Sequence, residues 1–213
     1  GMQSAGVILI IAILASLILN GVMAARTRAI EAAAVTEIKN LEKSISDFQL
    51  KFGIEPPSSI TLYEKGTDWA ASTTTTVRSR SLIRQIWPQF NFALDRDING
   101  DGDKLDTISL QGAECLVFFL GGVNSTNVVD KTGVLISGAS IGDTITQWIP
   151  LGFSVNPLDP FARGGSRLGP YYEFDSDRLK NIDSVSSTDP EGAPEYVDSL
   201  PSQTKPLIYA SSY

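Results

Sequence analysis

No histidine occurs anywhere in the 213 residues, and cysteine occurs once, at Cys115. The first absence excludes Ser-His-Asp and Cys-His nucleophile pairs and every His-ligated zinc or iron site. The second excludes an internal disulfide and any CxxC redox or metal motif, leaving Cys115 to be expected as an inert buried thiol. Phosphate-cradling P-loop glycines and the GxSxG elbow are missing as well. Positive charge is scarce: 17 Lys and Arg stand against 24 Asp and Glu, a net of −7, which argues against nucleic acid as a partner. Carboxylates are plentiful, yet the pairs Asp175/Asp177 and Glu191/Glu195 sit in no context that suggests a cleft or unequal acidity. No enzymatic activity is expected.

What remains is unevenly distributed. Residues 1–25 carry no charged side chain. Residues 26–52 carry five basic and four acidic ones, and residues 53–213 carry twelve basic and twenty acidic, a net of −8. At 42% apolar the chain has enough hydrophobic material for a packed core. Three parts follow: an apolar segment 1–25, an amphipathic segment 26–53 and an acidic globular head 54–213.

The apolar run holds Val7, Ile8, Leu9, Ile10, Ile11, Ile13, Leu14, Leu17, Ile18 and Leu19, and extends to Ala25 with only Ser16, Asn20 and Gly21 interrupting. About 20 such residues span a bilayer core as a helix. A secretory signal peptide would place its positive charge before the run, whereas the first basic residue here is Arg26, after it. A membrane-capable helix is therefore expected.

That helix is expected to continue. Ile30, Ala34, Ile38, Leu41, Ile45, Phe48 and Phe52 recur every three or four residues, one apolar stripe on an amphipathic helix. Asp47 and Lys51 stand four apart as a surface pair. Gly53 and the Pro56-Pro57 step supply the stop. Residues 7–52 as one helix would be roughly 70 Å long.

VILIIAILASLIL followed by an Arg-containing and then amphipathic helix resembles the N-terminal helix of type IV pilins and type II secretion pseudopilins. The resemblance covers residues 1–53 and the head only in outline. It implies a subunit that waits in the inner membrane, then packs its apolar half-helix into the core of a filament of identical copies. The destination is an extracellular pilus or a periplasmic pseudopilus. The family carries a glutamate near its fifth position, where this chain has Ala5 and no acid before Glu31. That departure is similar to minor, tip-located pseudopilins, or implies a different N-terminal packing scheme.

In the head, residues 58–76 are polar and read as loop, including the Ser72–Thr76 run that would suit O-linked glycan or simple solvation. Residues 78–90 show helical spacing, and residues 109–120 read as a helix capped by Ser109 and closed by Gly121-Gly122. Short strands are expected at 133–137, 147–155, 171–175 and 207–210, with irregular chain over 184–203. Asn124-Ser125-Thr126 is a glycosylation sequon by pattern. The fold class is α+β, a long N-terminal helix packed on a small antiparallel sheet.

One stretch carries chemistry. Residues 95–106, DRDINGDGDKLD, follow EF-hand-type spacing with Asp at the twelfth place instead of Glu. A hard cation such as Ca²⁺ needs six to eight oxygens, and a tight loop presents them on alternate residues. Asp95, Asp97 and Asn99 would supply side-chain oxygens, Asp101 its carbonyl, Asp103 a direct or water-bridged oxygen, and Asp106 the closing carboxylate. Without an ion the same stretch reads as an Asx-rich turn. Pseudopilins that order a loop with calcium are consistent with a cation here, although the family's sites lie nearer the C-terminus. The expected function is a structural subunit of a type IV pilus-like filament with a calcium-stabilised head. The alternatives are a type II secretion pseudopilin, or a membrane-anchored calcium-dependent surface or adhesion protein that does not polymerise.

Overall fold

The computed structural model describes residues 2–100, 102–124, 149–180, 193–200, 203 and 205–212, without the side chains of residues 2–15, Leu17 and Asn20. The chain is α+β: one long N-terminal helix and small antiparallel sheets. Helix α1, Met2–Phe52, runs through Gly21 without a break for 51 residues. Four of its hydroxyl residues, Thr27, Thr36, Ser44 and Ser46, fold back onto the carbonyl four earlier, so they do not compete with the helix for turns. It ends where Gly53, at φ +82°, donates its N–H to Gln49 O at 2.7 Å, a left-handed stop that glycine makes at least cost. Among the described residues no helix is long and apolar enough to cross a membrane. Most side chains of the apolar run fall outside those residues.

Among the described side chains of α1, those that pack on the head lie in its second half. Leu41, Ser44 and Phe48 are buried, and Ile30, Ala34, Ile45 and Phe52 are half-buried. Ile38 departs from the expected stripe and is half exposed, because Glu37 takes the inward position at that turn. Asp47 also pairs backwards with Lys43, at 2.6 Å, and not forwards with Lys51.

The polar stretch after the Pro-Pro step is not simple loop. Strand β1, Ser59–Tyr63, buries Ile60 and Leu62, and a 3-10 turn follows at Gly66–Ala70. Helix α2, Thr74–Ile86, begins four residues before the expected start. The Oγ1 of Thr73 caps it by accepting from Thr76 N. Ser109 is not a helix cap either. It lies in strand β2, Thr107–Gln111, where Ile108 and Leu110 alternate inward, and helix α3, Ala113–Gly121, starts beyond Gly112. Strands β1 and β2 are antiparallel, with Ser59 opposite Gln111 and Tyr63 opposite Thr107. Helix α2 covers the outer edge of β1, where Ser79 Oγ accepts from Thr61 N at 3.0 Å.

Beyond α3 the chain makes two further two-stranded ladders. Strand β3, Phe153–Ser154, pairs with β4, Arg167–Leu168, and β5, Leu179–Lys180, pairs with β6, Glu195–Tyr196. Of the expected strands within the described residues, 147–155 alone contains one, at Phe153–Ser154. Residues 171–175 are irregular because consecutive rings of Tyr171 and Tyr172 both turn inward, where alternation would send one outward. Residues 207–210 form no ladder, and 133–137 lies outside the described residues. Gly122 and Gly152 approach so closely that a Cβ on Gly122 would lie 2.2 Å from the Gly152 backbone.

Aromatic rings join α1 to the head. Phe48 packs edge-on against Phe119 of α3 and against Tyr171, and Phe52 meets Trp87 at 5.6 Å between centroids. Trp87 in turn contacts Phe153 and Phe161. Cys115 lies within this core, and burial pushes its thiol far up, which leaves it inert as expected.

Candidate functional site

The register of β1 and β2 decides what faces residues 95–106. Tyr63 opposite Thr107 is the last strand pair, so Glu64 comes next to Asp106, and Glu64 N donates to Asp106 O at 3.0 Å. The Glu64 side chain then enters the loop and is wholly buried. Its Oε1 accepts from Ile98 N at 2.5 Å and from Asn99 N at 3.3 Å, and its Oε2 accepts from Asp106 N at 3.3 Å. Burial pushes the Glu64 carboxyl up to about 7, against the pull of those three amides, and the Asp106 charge pushes the same way.

The expected ligands divide into two groups. Asp103 and Asp106 each bring a carboxylate oxygen into a set with Glu64 in which all lie within 4.8 Å of one another. Asn99, fully buried, joins them by donating from Nδ2 to Asp106 Oδ2 at 2.8 Å. Asp95 and Asp97 turn elsewhere. Asp95 Oδ1 accepts from Gly66 N at 2.8 Å, while Asp97 accepts from Gly100 N at 2.6 Å and Gly102 N at 3.2 Å. Both glycines have positive φ, and the Asp97 carboxylate also lies 3.4 Å from Arg163 Nη1. Asp101 lies outside the described residues.

Two arginines hold the outer side of the loop. Arg163 donates to the carbonyls of Asp97, Ile98 and Asn124, the last two at 2.9 Å. Arg96, buried, donates from Nε to Asp159 Oδ1 at 2.7 Å and from Nη2 to Asn91 O at 2.6 Å, with its guanidinium 4.0 Å above the Phe90 ring. Asp97 thus faces Arg163 and Asp95 a backbone amide, while carboxylate oxygens of Glu64, Asp103 and Asp106 converge.

The donor set of the second group is hard oxygen only, carboxylates converging from β1, the loop and the start of β2. That chemistry fits a hard divalent cation and does not fit a soft one. Three carboxylates are fewer oxygens than calcium takes, so water or loop carbonyls would complete the shell. Sequence spacing missed Glu64 because it stands 31 residues before Asp95, and only strand pairing brings it in. The sequon asparagine, Asn124, is buried, and its Oδ1 accepts from Ile149 N at 2.9 Å, so the folded chain does not offer it to a glycosyl donor.

Compared with protein-family models, curated proteins and solved structures, the chain matches none.

Proposed function

We propose that the chain is a structural subunit of a type IV pilus-like filament. Its apolar half-helix polymerises with those of identical copies, and the head tiles the outside with residues 95–106 ordered by calcium. The carrying observation is the division of labour along α1. Residues 41–52 are packed against the head, while Ile18, Leu19, Val22 and Met23, each 58–65% exposed, lie on a part of the helix that the head does not cover. Large apolar side chains on an uncovered helix call for another apolar surface, and a bundle of the same helices or a bilayer supplies it. The proposed course is inner membrane first, then an extracellular pilus or a periplasmic secretion pseudopilus.

Calcium would be held by Glu64, Asp103 and Asp106, neutralising three converging carboxylates and tying β1 to the loop before β2. Electron microscopy of the native full-length protein tests the filament reading. Helical fibres are expected. Particles that stay dispersed in membrane fractions under every ionic condition would support a non-polymerising anchored surface protein instead.

A further inference from the structure

Strand β2 has one side without a strand beside it. Glu64 N donates to Asp106 O and Gly112 N to Ser58 O, so Ile108 and Leu110 bond to β1. Thr107, Ser109 and Gln111 between and beside them turn their backbone groups the other way. On β1 the corresponding outward amide, Thr61 N, is met by Ser79 Oγ of α2. On β2 the three outward residues are exposed. Among the described residues, only the amide of Gln111 finds a backbone partner there, donating to Glu114 Oε2 at 2.7 Å. A row of unpaired N–H and C=O groups on a strand edge is a template for a further strand.

A groove of about 490 Å³ lies along this edge, with Ser109 and Gln111 on one wall and Pro206, Leu207 and Ile208 on the other. The second wall is held from behind: Leu207 N donates to Tyr196 O at 2.8 Å, and Pro206 bridges to Val197, which ties it to β6. The walls meet at one end, where a Cβ on Gly112 would lie 3.7 Å from Tyr209 O. That end is pinned, since Tyr209 OH donates to Pro56 O and Ser58 N donates to Ser211 Oγ. Ile208 is 99% exposed. Glu114 and Glu195 also line the groove, and no Lys or Arg does.

We infer that this groove binds an extended, basic peptide segment of another protein by strand addition to β2. The segment's main chain pairs with Thr107 and Ser109, an apolar side chain covers Ile208, and a Lys or Arg meets Glu114 and Glu195. Main-chain pairing supplies affinity in such a mode, and the two acids supply the choice of segment. The five residues of β2 span about 16 Å, so a segment of similar length fills the edge. The same acids repel a phosphate backbone. The inference goes beyond the filament reading and does not depend on polymerisation.

The probe is a fluorescent peptide of sequence TVKVTVKT, titrated into the full-length chain in mild detergent and followed by anisotropy. Saturable binding is expected. Ser109→Pro should weaken it about tenfold, because it removes an amide that faces the groove and no ladder bond to β1. Glu195→Lys should weaken it by a similar factor and shift the preference to TVEVTVET. With the protein unchanged, N-methylation of alternate peptide amides should cost about tenfold in one register and little in the other, because the β2 wall alone offers a row of free groups. Equal losses in both registers would overturn strand addition, as would indifference to Ser109→Pro in a chain that keeps its circular dichroism. A wild-type chain that binds no peptide, but forms a dimer that Ser109→Pro dissociates, would give the edge to a second copy and overturn the peptide. The chains are dispersed throughout, so failure here leaves the filament reading standing, and absence of fibres elsewhere leaves this groove standing.

Discussion

Glu37 and Arg178, 141 residues apart in the chain, meet through both ends of the guanidinium, with Nη2 donating to Oε2 at 3.0 Å. Tyr196 OH donates to the same carboxylate at 2.9 Å, and Arg178 also donates from Nε to Val197 O at 2.9 Å. One acid on the long helix thus gathers the C-terminal part of the head, and both ion-pair partners are mostly buried. The pair holds the Glu37 carboxyl below its ordinary 4.5 although burial, the largest single influence, works the other way.

Glu37→Ala should cost about 2–3 kcal/mol, because it leaves Arg178 and the Tyr196 hydroxyl without their common acceptor in a mostly buried place. Thermal melting of the full-length chain would show a fall of roughly 5–10 °C. Since the folded carboxyl titrates below the unfolded one, the contribution is complete above pH 4.5 and is lost as pH falls through the folded value. A variant whose melting curve overlays the wild type would reduce the clasp to a surface contact.

Glu64 titrates in the opposite sense. Its folded carboxyl lies at about 7, above its ordinary 4.5, so the folded state holds the proton more tightly. Without divalent cations the head should therefore lose stability as pH rises from 4.5 to 7, by up to about 3 kcal/mol from this group. Glu64→Gln should flatten that dependence in chelator, which urea unfolding at a series of pH values would measure. An unchanged slope in the variant would assign the dependence to other groups.

The division of the loop makes two calcium variants distinguishable. Free calcium at a hundredfold excess over Kd would add about 2.7 kcal/mol to the native state, several degrees in melting temperature. Asp103→Ala with Asp106→Ala should abolish that rise, and in EGTA the relief of repulsion around Glu64 partly offsets the acceptors that Asn99 Nδ2 and Leu105 N lose. Asp95→Ala with Asp97→Ala should instead lower the melting temperature in EGTA itself, because the N–H groups of Gly66, Gly100 and Gly102 lose their acceptors. Identical wild-type curves in calcium and EGTA would withdraw the calcium proposal.

A charge in the apolar run tests the filament core. Ile10→Asp or Leu14→Lys places a charge where insertion costs about 3 kcal/mol, and every subunit repeats the defect. Fibre yield should fall to nothing while circular dichroism of the head is unchanged. Normal yield from either variant would place the core elsewhere.

Phe48→Ala probes the seam between helix and head. The ring is fully buried and touches Phe52, Phe119 and Tyr171, so its removal should cost about 3–5 kcal/mol. Hydrogen exchange should then quicken in α3 and around residue 171 before it does in β1 and β2. Uniform quickening would mean that the seam and the sheet open as one unit.

Local periodicity determined a good deal of this protein without help. The long helix, its stop at Gly53, its head-facing residues Leu41 and Phe48, and the inert Cys115 all follow from spacing and side-chain type, because helix geometry repeats every 3.6 residues. The α+β class and the turn-rich acidic stretch at 95–106 were equally legible. Glu37 was not, because an acid is read as solvent-facing until its partner appears, and Arg178 is remote in sequence. Strand β1 hid within a polar stretch because two inward residues, Ile60 and Leu62, make too short a pattern to stand out. Its pairing with β2 was decided by tertiary structure alone, and that pairing buries Glu64 beside Asp103 and Asp106 and leaves Asp95 and Asp97 to backbone amides and Arg163. Composition can supply carboxylates to a loop, but which of them converge depends on strand register, a long-range contact that no local window contains.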